Sequence, residues 1–90
     1  MEIVYTPDAL EDLEYWKQSG NKQALKKITQ LLTAILIDYK NGIGQPEPLK
    51  KNMTGFWSRH IDKKNRLIYE VYEEDQIINV VSLRGHYSDK

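Results

Sequence analysis

The feature that most constrains the fold is a change of hydrophobic period at Asn41-Gly42-Ile43-Gly44. Before it, Leu25, Ile28, Leu31, Leu32, Ile35, Leu36 and Tyr39 recur three and four residues apart, which marks one face of a helix. After it come short apolar runs separated by turn residues, the pattern of strands. Two glycines within four residues stop the helix, so the chain writes its helices first and an antiparallel meander afterwards.

The remaining elements follow from local signals. Glu2-Ile3-Val4-Tyr5-Thr6 reads as a first strand with Ile3 and Tyr5 on one face. Thr6 caps a helix that opens on Pro7, where a missing N–H does no harm, and Leu10, Leu13 and Trp16 mark its apolar side up to Gly20. A second helix is predicted from about Asn21 to Lys40. Pro46 and Pro48 hold the following loop extended, with Glu47 braced between them. Strands are predicted over roughly 55–61, 67–72 and 77–83, with turns at 62–65 and 73–75. The expected order is β-α-α-β-β-β in a single domain, residues 1–90. The expected class is α+β, an antiparallel sheet with both helices packed on one face.

A chain of 90 residues buries about two-thirds of its unfolded surface, enough for one core. The absence of cysteine excludes disulfides and thiolate metal sites, and two histidines make a metal centre or other cofactor unexpected. No long apolar stretch or leader pattern is present, so a cytoplasmic protein without membrane contact is expected. Net charge is zero, but residues 50–66 carry Lys50, Lys51, Arg59, Lys63, Lys64 and Arg66 against Asp62 alone. Such a basic face attracts phosphate even on a neutral molecule, although charge alone favours an ordinary solvated face.

Glu47, Lys50, Arg59, Arg66, His86 and Tyr87 supply the parts for cutting RNA without a metal. That reaction needs a base for the ribose 2′-OH, cations where phosphate charge builds, and an acid for the leaving 5′-oxygen. Proton transfer of this kind contributes about 10²–10⁴-fold, and each fixed donor aimed at the transition state contributes on the order of 10²–10³. Glu47 is the base candidate, against the plain reading of a surface loop glutamate. His86 is the acid candidate, because an imidazole can hold and release a proton near neutrality. Arg66 suits two phosphate oxygens, and in a hairpin turning at 62–65 Arg59 is expected as its near cross-strand neighbour. Lys50, Lys51 and His60 are further phosphate contacts, and Tyr87 can stack on an unpaired base. Phe56 and Trp57 point to opposite faces, so one belongs to the core.

The block Gln45-Pro46-Glu47-Pro48-Leu49-Lys50 through Gly55-Phe56-Trp57-Ser58-Arg59, with Arg66-Leu67-Ile68-Tyr69 and a closing His86-Tyr87, resembles the YoeB/Txe toxins of the RelE superfamily. The resemblance spans nearly the whole chain. It implies a microbial RNase-like fold and a type II toxin that cleaves mRNA in the ribosomal A site. It also implies neutralisation by a YefM/Axe-type antitoxin, and it admits a homodimer, since some members form dimers. Position by position, it implies catalytic roles for Glu47, Arg66, His86 and Tyr87, and phosphate contacts for Lys50 and Arg59. The chain departs from the family at His60, where a second arginine is common, and in Ser88-Asp89-Lys90 beyond the tyrosine. Read from the basic hairpin and aromatics alone, the chain is alternatively a non-catalytic RNA- or ribosome-binding module; a third reading makes it mainly an interaction partner whose apolar surface receives another protein.

Overall fold

The computed structural model describes residues 1–85; His86, Tyr87 and the Ser88-Asp89-Lys90 extension lie outside the described residues, as does the side chain of Lys51. The elements in chain order are β1 (Glu2–Tyr5), α1 (Pro7–Ser19), α2 (Lys22–Ile37), β2 (Glu47–Pro48), a single 3₁₀ turn (Lys51–Met53), β3 (Phe56–His60), β4 (Arg66–Tyr72) and β5 (Ile77–Ser82).

Both helices are capped as their sequences dictate. The Thr6 hydroxyl accepts the Ala9 N–H at 3.0 Å and donates to the Val81 carbonyl at 2.7 Å, so the cap of α1 also ties its corner to β5. Gly20 ends α1 in the left-handed conformation, φ 74°. Asn21 caps α2 by accepting the Ala24 N–H at 3.0 Å. The second helix stops at Ile37, short of the expected Lys40. Asp38 takes an extended conformation there, and its carboxylate accepts the Lys40 N–H at 3.0 Å. A short acidic side chain that bonds its own downstream backbone competes with another helical turn.

The helices share one face of the sheet and close a core of Ala9, Trp16, Ala24, Ile28, Leu31 and Ile35 over Leu67, Tyr69, Ile78 and Val80. Two residues of the expected stripes lie outside it: Leu10 is 53% and Leu36 45% exposed. The buried line of α1 runs instead through Ala9, Leu13 and Trp16, spaced four and three residues apart. Leu10 is about 100° around the helix from Ala9 and faces out. Among the described residues no helix is long and apolar enough to cross a membrane.

Strand order in the five-stranded sheet is β1-β5-β4-β3-β2. It departs from the expected meander at both edges. At one edge β1 runs parallel to β5, Glu2 opposite Ile77 through Tyr5 opposite Val80, so the sheet is mixed. The two helices form the crossover that returns the meander to the first strand, and a parallel pair needs such a connection. At the other edge the proline-braced segment is itself a strand, with Glu47 opposite Ser58 and Pro48 opposite Trp57. Pro46 and Pro48 carry no N–H, which keeps this strand short and the sheet edge blunt.

Candidate active site

Register decides which side chains meet. Across β2, β3 and β4, Glu47 lies opposite Ser58 and Ser58 opposite Ile68, while His60 lies opposite Arg66. These residues share the face turned away from the helices. The Arg66 guanidinium reaches Ser58 Oγ from the β4 side at 3.3 Å. Carboxylate and cation therefore flank one hydroxyl that is itself 1% exposed. Glu47 is exposed and Arg66 half-buried, so both can meet a ligand laid across this face.

Three supports hold the pair. The Leu49 N–H donates to the Phe56 carbonyl at 2.8 Å and the Leu49 side chain is buried, anchoring the strand that carries Glu47. Lys50 follows, exposed, at the end of that strand. The turn before Arg66 is organised by Asp62, whose Oδ1 accepts the N–H groups of Lys64 at 2.8 Å and Asn65 at 2.7 Å. Burial raises the Asp62 pKa, but the donors from Lys64 and Asn65 outweigh it and bring it below the usual carboxylate value. The segment after β5 is clamped to α1 and to this turn. Leu83 gives its N–H to Asp12 at 3.0 Å and its carbonyl to Trp16 Nε1 at 2.7 Å. Gly85 donates to Asn65 Oδ1 at 2.7 Å and accepts the Arg66 N–H at 2.8 Å. His86 is thus joined to a residue hydrogen-bonded to Arg66.

Arg59 corrects the sequence reading. The register sets it opposite Leu67, one position from the His60–Arg66 pair, and the two arginines point to opposite faces. Arg59 is 0% exposed. Its Nε donates to the Tyr69 hydroxyl at 3.1 Å, Nη1 to the Ile43 carbonyl at 3.1 Å, and Nη2 to the carbonyls of Asp38 at 2.8 Å and Asn41 at 3.0 Å. A guanidinium so enclosed has no access to a phosphate on the other face. It neutralises carbonyl dipoles at the C-terminal end of α2 and stitches the glycine loop to the sheet. The Tyr69 hydroxyl continues the network by donating to the Tyr39 carbonyl at 2.7 Å. Burial raises the Tyr69 pKa, against the opposing effect of the Arg59 bond. Trp57 is the core member of the Phe56-Trp57 pair, edge-on to Tyr39 with ring centroids 6.1 Å apart.

Sequence reasoning passed over Ser58 and the clamp formed by Trp16 and Asp12. Ser58 had only a partial signal: alternation within β3 puts it on the face opposite Trp57 and Arg59, but its partners needed the register. The clamp had none, because it joins positions 71 and 67 residues apart.

An α+β sheet with both helices on one face and a carboxylate–arginine pair on the other is the class defined so far, and solved toxin structures share the fold. The chain superposes on a YoeB/ParE toxin from Agrobacterium tumefaciens with a TM-score of 0.90 and 36% identity, covering 97% of this chain and 100% of that one. A Staphylococcus aureus YoeB solved as a dimer gives a TM-score of 0.86 at 41% identity, covering 97% and 98%. The S. aureus protein has also been solved as a heterotetrameric YoeB–YefM complex. In sequence, the chain is 42% identical over 87 residues to the toxin YoeB of Synechocystis, covering 97% of this chain and 98% of the relative. Residues 5–87 match the family model for YoeB-like toxins of bacterial type II toxin–antitoxin systems. The chain belongs to that family of toxins.

Proposed function

We propose that this toxin is a metal-independent endoribonuclease that cuts mRNA in the ribosomal A site. The observation that carries the reading is the placement of Glu47 and Arg66 on either side of Ser58, on the sheet face the helices leave open. Glu47 takes the proton from a ribose 2′-OH, and the 2′-oxygen attacks the adjacent phosphorus. Arg66, with Lys50 at the strand end, stabilises the charge that builds on the phosphoryl oxygens. His86 gives a proton to the departing 5′-oxygen as the P–O5′ bond breaks, leaving a 2′,3′-cyclic phosphate. Tyr87 orients a base by stacking. Arg59 has no part in the chemistry.

A YefM-type antitoxin is the proposed partner, as in the S. aureus complex, and self-association parallels the S. aureus dimer. Leu10, Leu36, Ile37 and Ile43 are exposed apolar side chains that a wrapping antitoxin segment would cover.

The test is toeprinting of mRNA on programmed ribosomes with wild-type protein, Arg66→Ala and Glu47→Gln. Cleavage should fall by at least the about 10²-fold typical of one donor or one proton-transfer group. Equal cleavage by all three would overturn the assigned roles.

A further inference from the structure

A cleft of about 470 Å³ opens at the end of the sheet, between α2 and the β3–β4 turn, lined by Lys27, Gln45, His60, Ile61, Asp62 and Lys63. We propose that it is a second binding site, one that holds the phosphodiester backbone of an RNA strand continuing past the scissile bond. The proposal rests on the reading above and extends it along the substrate.

Position is the first argument. His60 is the cross-strand partner of Arg66, and Gln45 is two residues before Glu47. The cleft therefore starts at the sheet end next to these residues and reaches round to α2 through Lys27. His60 lies two residues along β3 from Ser58, about 7 Å at the usual strand rise and of the order of one nucleotide step.

Charge is the second. Two ammonium groups, of Lys27 and Lys63, line the cleft against one carboxylate, that of Asp62. Asp62 is committed to its own turn: Oδ1 accepts from the Lys64 and Asn65 N–H groups and from Asn65 Nδ2 at 3.1 Å, and Oδ2 accepts from Asn65 Nδ2 at 3.2 Å. Among the described residues neither Lys27 nor Lys63 forms an ion pair. Lys27 is half-buried and lines the cleft, and a long side chain of this kind can bury its stem while its charge meets a ligand.

Backbone geometry is the third. Gln45 is a non-glycine residue at φ 53°, a conformation unusual for an L side chain, and it lines the cleft. The His60 N–H bonds the Gly44 carbonyl at 2.7 Å, which fixes this floor to β3. Two cations, a glutamine and an imidazole form a surface that tracks a single-stranded backbone without reading its sequence.

The test uses non-cleavable 2′-O-methyl single-stranded RNA of about four and about eight nucleotides, and vacant ribosomes, binding wild type, Lys27→Gln/Lys63→Gln and Arg66→Met. Lys17→Gln/Lys40→Gln matches the charge change elsewhere on the surface. The cleft pair should flatten the salt dependence of binding by about 1.4 log units per log unit of salt on the long strand, roughly 0.7 for each phosphate released. On the short strand it should behave as wild type. Loss on the long strand assigns the backbone to the message; loss confined to ribosomes assigns it to ribosomal RNA and overturns the proposal. No loss on either, or equal loss on short and long strands, overturns the proposal. Arg66→Met separates the two readings. If it weakens both strands while the cleft pair does not, the active site stands and the second site falls. If the cleft pair weakens the long strand and Arg66→Met changes nothing, the second site stands and the active-site reading falls.

Discussion

Replacing Arg59 by methionine keeps a long unbranched stem and removes the guanidinium. Four hydrogen bonds at 2.8–3.1 Å vanish, three of them to backbone carbonyls of the 38–43 segment. A hydrogen bond involving a charged group contributes about 1.5–3 kcal/mol, and a buried acceptor left unpaired costs about 1–3 kcal/mol. These terms do not add, because the exposed side of the loop lets water reach the carbonyls of Asn41 and Ile43. A net loss of about 3–5 kcal/mol is the scale seen when a buried charged network is broken. Against a typical domain stability of about 5–15 kcal/mol, that removes at least about a fifth of the total. Urea titration should show a large drop in midpoint, and the melting temperature should fall by roughly 12–40 °C, at about 4–8 °C per kcal/mol. Arg66→Met on the opposite face is the control, expected to shift stability by about 1 kcal/mol or less while abolishing cleavage. The reasoning is refuted if Arg59→Met melts within about 1 kcal/mol of wild type and instead weakens RNA binding with a flatter salt slope.

Other perturbations test the supports of the site. At Gly44, φ 83°, an added Cβ would sit 2.5 Å from Leu31 Cδ2 and 3.1 Å from Arg59 Cβ, so Gly44→Ala should cost about 2–4 kcal/mol in a thermal melt. Gly20→Ala, with nothing within 4 Å, should cost only the left-handed backbone term of about 1–2 kcal/mol. Asp62→Ala should lose on the order of 1 kcal/mol at neutral pH, measured by urea melts. The folded Asp62 pKa lies below its unfolded value, so this contribution is complete above the unfolded pKa, near 3.9, and fades as pH falls through the folded one. The gap between Asp62→Ala and wild type should therefore close on acidification; a gap that widens contradicts the turn assignment. Trp16→Phe leaves the buried Leu83 carbonyl without its 2.7 Å donor and should cost about 1–3 kcal/mol. It should also slow ribosomal cleavage, since the strap from Leu83 to Gly85 leads directly to His86.

The helix caps, the glycine stop and the β3–β4 hairpin were legible because each rests on neighbours in sequence. Thr6, Pro7, Asn21 and the 62–65 turn all fell where local chemistry put them. The parallel β1–β5 pairing was hidden because Glu2 and Ile77 carry no mark of each other. The same limit explains Arg59. An arginine on a strand beside other cations reads as a surface residue, and only strand phase shows it on the helix side. One residue of offset sent it to the opposite face from Arg66. Glu47 was read as braced by prolines, but its position is fixed more strongly by pairing with Ser58, a contact that required the register.

The enclosed Arg59 also sets how the molecule can breathe. Segments without regular structure usually open alone, at little free-energy cost, and exchange their amides early. The stretch from Asp38 to Gly44 lacks helix and strand, yet three of its carbonyls are held by a side chain planted in the sheet and a fourth by the His60 amide. It cannot lift away without exposing that guanidinium. Its amide protection should therefore resemble that of the core strands, and the edge strand that follows it inherits the same steadiness. For a toxin released from a protein partner, this means that the sheet face carrying Glu47 and Arg66 is already assembled and needs no refolding.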